Sequence, residues 1–390
     1  MNKVLQNIFY FTLIILGSAC KEPYNPPAVA DAQSYLVVEG FINIGGETNI
    51  ILSRSTNLKD TTKTVPERRA IVFVENEQNG SFILRESSPG KYTISAAGLT
   101  TGKKYRVRIK TTSSEYLSDF VDALQTPEID SLNFKIRNDG VQFYSNTHDG
   151  SNKTKYYRWE YDETWRYASL YNSTIEYISG SLERRLPGNQ IFYCWRTNFS
   201  NDIILGSSAN LSSDVIVDNP LTFIPAETGK VTFGYSILAR QYALTKDAYE
   251  YWQTLKKNTE QLGSIFDPQP SLASGNIKCI SNKKEPVIGY ISASSVTSKR
   301  LFFSNNNFPF HSPSYLSPPP PDACEIDGII VQPIVSFASR AAQLFKSGDL
   351  IPLEPYGEPG QGIISYTYAR KECVDCRVKG GTNIKPTFWP

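Results

Sequence analysis

Lys104-Tyr105-Arg106-Val107-Arg108-Ile109-Lys110 decides the fold class. Tyr105, Val107 and Ile109 fall on one side and four cations on the other, the period-two pattern of a half-buried antiparallel strand. Working outward, Tyr35-Leu36-Val37-Val38-Glu39-Gly40 opens the region as a largely buried strand, and Ile71 to Glu75 and Phe82 to Arg85 follow. Asn79-Gly80 and Pro89-Gly90 supply turns, the second leading into Tyr92-Thr93-Ile94. Short strands with regular turns predict a β-sandwich over residues 34–125, immunoglobulin-like or prealbumin-like in kind. The basic face of 104–110 reads as a solvated face before it reads as a binding surface.

Thr126-Pro127 marks a boundary, and a second β-rich region, fibronectin-like, is expected over 126–243. Val141 to Ser145 and Tyr156 to Tyr161 are its strands, with Asp149-Gly150-Ser151-Asn152 as a turn between them. In the latter strand Tyr157, Trp159 and Tyr161 alternate with Tyr156, Arg158 and Glu160. Thr174 to Pro225 reads as long and irregular. Residues 244–390 are expected to form a mixed region with one or two helices. Thr245 caps the first; Ala248, Trp252, Leu255, Thr259 and Leu262 recur at helical spacing, and Gly263 sits at its end. Asp247 and Lys256-Lys257 match the helix dipole, and Trp252 is expected to pack. Strands are expected near Val287 to Ile291 and Lys299 to Ser304, and a shorter helix over Phe337 to Phe345. Ser317 to Asp322, with four consecutive prolines, is too stiff for regular structure.

The first 33 residues read differently. Lys3, the apolar run Ile8 to Leu16 and Gly17-Ser18-Ala19 before Cys20 follow the order of a secretory signal. The run is shorter than the ~20 residues a spanning helix needs. Leu16-Gly17-Ser18-Ala19-Cys20 resembles a bacterial lipobox, its leucine one place further from the cysteine than usual. Residues 1–19 are therefore expected to be a signal peptide, Cys20 the lipid attachment site, and 20–33 a proline-rich tether. Lys21-Glu22 partly resembles the Bacteroidetes signal for display on the outer cell surface. The expected location is the outer membrane, lipid-anchored and facing the exterior.

Removal of residues 1–19 leaves 371 residues with a net charge of +1, no electrostatic footprint for nucleic acid. The 48 aromatic side chains suit strands. Of the six cysteines, Cys20 is assigned to lipid; five remain, so at least one thiol stays unpaired within the chain. Cys279, Cys324, Cys373 and Cys376 are the disulfide candidates, holding the C-terminal tail to the body. Zinc would normally show a second close pair of ligands, and Arg377 to Gly381 reads as a turn rather than the helix of a redox site. No metal or cofactor is expected.

Several stretches together are familiar in kind. Leu36 to Gly40 follows a cysteine-led, proline-rich tether. Tyr235-Ser236-Ile237-Leu238-Ala239-Arg240-Gln241-Tyr242 leads into Ala248-Tyr249-Glu250-Tyr251-Trp252. Gly263 to Pro270 precedes Gly275-Asn276-Ile277-Lys278-Cys279. Cys373-Val374-Asp375-Cys376-Arg377 leads to Gly380 through Pro386 and Phe388-Trp389. This set resembles the Bacteroidetes lipoproteins grouped as the domain-of-unknown-function family 4249, with Thr387 standing where an acidic residue is expected. The resemblance implies an accessory role beside a TonB-dependent outer-membrane receptor. It brings no catalytic residues.

The motifs point the same way. His148 lies in a predicted turn and His311 in a Pro- and Asn-rich loop, and Gly206-Ser207-Ser208-Ala209 lacks the second glycine of a nucleophile elbow. The expected function is non-catalytic, with catalytic residues none and the ligand unknown; Thr174 to Pro225 and Asn305 to Asp322 are the candidate contact segments. A structural or adhesive scaffold without a transport role is the alternative.

Overall fold

The computed structural model describes residues 34–56, 64–95, 98–260, 273–304, 307, 324–331, 334–358, 360 and 362–390. The signal peptide, Cys20, the tether, the Gly263 helix end, His311 and the 317–322 proline loop lie outside these residues. The chain is mainly β.

The first unit contains β1 (Leu36–Asn43), β2 (Thr48–Arg54), β3 (Val65–Pro66), β4 (Ile71–Asn76), β5 (Ser81–Ser88), β6 (Lys91–Ile94), β7 (Lys104–Lys110), β8 (Glu115–Ser118) and β9 (Val121–Leu124). Tyr105, Val107 and Ile109 of β7 are at most 2% exposed, so the alternation does bury one face. The opposite face is neither bare nor free: Arg106 and Arg108 both pair with Glu75 at 2.7 Å on neighbouring β4, and Arg108 also with Glu115. The β4–β5 turn forms because Asn76 Oδ1 accepts from the backbone N–H of Gln78 and Gly80 while Asn79 takes a φ of 64°.

The second unit is built from β10 (Ile129–Arg137), β11 (Gly140–His148), β12 (Tyr156–Ala168), β13 (Ile175–Ile178), β14 (Ser181–Arg184), β15 (Tyr193–Phe199), β16 (Ile204–Ser207), β17 (Val215–Pro225) and β18 (Tyr235–Leu244). The sheet β10-β11-β17 shares one core with a sheet in which β12 lies between β15 and β18. Tyr157, Trp159 and Tyr161 point into that core, Trp159 donating from Nε1 to buried Gln241 at 2.8 Å. The expected irregular stretch from Thr174 to Pro225 holds five strands. Its periodicity is broken because β13 and β14 are four residues each around Ser179-Gly180, both at positive φ, and because β17 is an edge strand that tolerates Pro220.

Thr245 Oγ1 accepts from Ala248 N at 3.2 Å and starts α1 (Lys246–Glu260), as the capping pattern requires. Trp252 is half-buried under the Arg158 guanidinium, 4.4 Å from its ring centroid. Beyond the helix the chain does not stay in a separate C-terminal region. β19 (Ile277–Cys279), β20 (Val287–Ile288) and β21 (Ala293–Ser294) return to the first unit, pairing with β8, β1 and both β1 and β9 respectively. β9 also pairs with β7, so the hydrogen bonding runs β7-β4-β5-β6-β2-β1-β21-β9 and back to β7, a barrel-like ring in place of two separate sheets. β22 (Val296–Phe303) then adds to β18 of the second unit. The two crossings between units lie side by side: Thr126 N donates to Ser295 Oγ at 2.8 Å.

Last come β23 (Asp327–Ile330), α2 (Ile334–Phe345), β24 (Leu350–Glu358), β25 (Gly362–Arg370) and the single-turn α3 (Lys371–Val374). The three strands form one sheet with β25 central, packed on α2 through Ile329, Ala341 and Phe345.

Candidate functional site

Two disulfides pin this last unit. Cys324 pairs with Cys373, both among the candidates; Cys376 pairs instead with Cys194, which lies on β15 of the second unit. Cys279 is buried on β19 with an unpaired thiol, so it does not hold the tail. Cys373 and Cys376 thus face different partners and do not act on one another. Between them Asp375 is buried; burial alone would raise its carboxyl, but bonds from Arg377 N, Nε and Nη2 at 2.8 to 2.9 Å outweigh that and hold it below the ordinary carboxylate range. The Cys376–Lys379 turn that follows is thereby fixed against the second unit.

That turn closes a cleft. β12 is thirteen residues long, and Trp165, Tyr167 and Ala168 near its end line the cleft. Three pieces from distant parts of the chain surround them: Arg196 on β15, the connection Thr228 to Phe233 before β18, and Lys379. The hollow measures about 270 Å³. Lys230 Nζ sits 4.7 Å and the Arg196 guanidinium 5.8 Å from the Trp165 ring centroid. The ring's negative face attracts both cations, each contact worth about 0.5–2 kcal/mol. Lys230 is also anchored from below, 2.5 Å from Oε1 of buried Glu163, whose Oε2 accepts from Tyr235 at 2.9 Å. Burial and the neighbouring Glu163 carboxylate push the Tyr235 phenol well up, so it stays a donor. Tyr167 donates to the Cys376 carbonyl at 2.9 Å, and Arg196 to the Lys379 carbonyl at 3.3 Å.

The lining therefore carries three cations, three aromatic rings in Trp165, Tyr167 and Phe233, and no carboxylate. Among the described residues no carboxylate stands within ion-pair distance of Arg196 or Lys379. Such an arrangement can hold an anion against a ring. A larger hollow of about 860 Å³ lies beside α2, lined by Phe337, Leu344 and Tyr368 with Arg340 as its one charged side chain.

The other sequence candidates lie elsewhere. His148 is exposed at the end of β11, its Nδ1 2.8 Å from Asp130, and that hydrogen bond and the carboxylate's charge raise its pKa. Ser208 is fully buried and donates to Asp214, which also accepts from Tyr157. Burial and the Asp214 carboxylate raise the Tyr157 phenol, so this is a closed core network. No group of three or more His, Cys, Asp or Glu suited to a metal occurs among the described residues. No helix among them is long and apolar enough to cross a membrane. Sequence reasoning missed the cleft residues; only Gly229-Lys230, a basic turn before an aromatic strand, gave any hint.

Fold and site together define a disulfide-stapled, β-rich protein with a cationic, aromatic cleft. Residues 21–300 match the family described as Domain of unknown function (DUF4249), and the chain belongs to that family. The match takes in Trp165, Arg196 and Lys230 and stops short of Lys379. No curated protein matches the chain.

Proposed function

We propose that this chain is a non-catalytic Bacteroidetes lipoprotein, held at the outer membrane by lipid on Cys20, that assists a TonB-dependent transporter in nutrient capture. The cleft is the observation that carries the binding part of this reading. Its groups are of the kind that recognise a small ligand, and they converge from four separated segments, two of them strands. The lipobox-like run before Cys20 and the partial Lys21-Glu22 signal support the surface location, and the family resemblance supports the transporter as partner.

The test is a mild-detergent pull-down from the native membrane, followed by identification of co-purifying proteins. A TonB-dependent receptor should come down with the lipoprotein and survive washing, as an interface of roughly 1,200 Å² or more would allow. Repeated recovery without any such receptor, together with uptake unchanged on deletion, would replace this reading with that of a structural or adhesive surface scaffold.

A further inference from the structure

We infer that the Trp165 cleft is a receptor site for a single acidic sugar, its carboxylate held by Arg196 and Lys379 and its ring laid against Phe233. This rests on the binding-protein reading and names its ligand.

Charge decides the first half. Of the three cations in the lining, Lys230 is neutralised by Glu163 beneath it, while Arg196 and Lys379 bring no carboxylate of their own among the described residues. The Arg196 guanidinium uses one N–H on the Lys379 carbonyl and lies 5.8 Å from the Trp165 ring centroid, with its other N–H groups left to donate. A planar carboxylate matches that fork with two parallel hydrogen bonds. Two unneutralised cations lining one cleft repel each other, and one anion bound there offsets that repulsion.

Size and lining decide the second half. A hollow of about 270 Å³ has room for one sugar ring. Phe233 lines the cleft and is 38% exposed, with Tyr193 at 6.0 Å packing on it, so part of its apolar surface is open to the C–H side of a sugar. Thr228 Oγ1 spends its proton on the Pro225 carbonyl at 2.7 Å and accepts a long bond from Lys230 N at 3.4 Å, which leaves one lone pair to accept from a ligand hydroxyl. An apolar acid would leave that acceptor unused.

Isothermal titration of the mature chain with D-glucuronate and D-galacturonate tests this, with D-glucose, benzoate and inorganic phosphate as comparisons. At least one uronate should saturate and bind at least tenfold tighter than glucose, with affinity falling as salt is raised. Arg196→Gln and Lys379→Gln should each weaken the uronate about tenfold; the exposed Lys379 side chain should leave the melting temperature where it is, and loss of the Arg196 contacts should lower it by no more than about 3 °C. Lys278→Gln, an exposed cation on β19 of the first unit paired with Asp119, should change nothing. The inference is overturned if neither uronate binds, if Arg196→Gln leaves binding intact, or if benzoate or phosphate binds as tightly. A transporter recovered in the pull-down by a protein blind to uronates would sink the ligand alone; uronate binding without a transporter would sink the accessory role alone.

Discussion

Replacing Cys194 and Cys376 together by alanine should cost about 5 kcal/mol, at the upper end of what one cross-link contributes. The bond joins residues 182 apart in sequence. Loop-closure entropy grows with the logarithm of that length, giving about 5 kcal/mol at 25 °C in the chain-entropy treatment. The Cys324–Cys373 link, spanning 49 residues, is nested inside and shortens the free loop, but the logarithm changes the figure by only a few tenths of a kcal/mol. At about 2.1 cal/mol/K per residue, a chain of this length unfolding as one unit should lose about 6 °C in melting temperature. Scanning calorimetry of the chain lacking residues 1–20, with and without reductant, reads it. Cystine-linked peptides from a non-reduced digest check the pairing. The alanine pair also loosens the turn that holds Lys379 over the cleft, so ligand affinity should fall with stability. A double variant melting within a degree of the parent, or a digest joining Cys376 to Cys279, would refute the reasoning.

Cys20→Ala should abolish fatty-acid labelling and release the protein from the membrane; unchanged labelling would sink the lipid assignment. Trp159→Ala should destabilise by about 3–5 kcal/mol in denaturant titration, since the ring is fully buried and its loss also strands Gln241; a cost below 1 kcal/mol would contradict the core placement. His148 should titrate above its ordinary 6.5 by NMR, because Asp130 favours the imidazolium. The pair's contribution to stability is therefore present below the unfolded value and lost as pH rises through the folded one, and Asp130→Asn should bring the titration back down.

β7 was legible because one seven-residue strand carries its whole signal locally: three apolar side chains, four cations, strict alternation. α1 was legible for the same reason, its cap and its stripe lying within fifteen residues. The β13–β14 hairpin and β17 were not, since four-residue strands and a proline-bearing edge leave no period to read. β21 is two residues long and pairs with strands roughly 170 and 250 positions earlier; nothing in Ala293-Ser294 alone distinguishes it from a loop. Cysteine count required an unpaired thiol but could not choose Cys279, because the pairing follows where β15 and β19 end up. The cleft was the least legible of all: Trp165, Arg196, Lys230 and Lys379 span more than two hundred residues and meet only when the tail is stapled down.

The ring in the first unit has a consequence for how the molecule is made. β1 offers its edge at Ile42 and Ile44 to the carbonyls of Ser292 and Ser294, at 2.8 and 3.0 Å. Until those residues arrive, the earliest part of the chain waits with an open seam while the whole second unit is synthesised. The first unit begun is thus among the last finished, and its closing contact is of high sequence separation, the kind that forms slowly. An unfilled seam is a bare strand edge, ready to take a strand from another chain. A nascent or truncated chain ending before Ala293 would therefore be sticky along β1 and β9, and its safe passage depends on something shielding that seam until the missing strand is delivered.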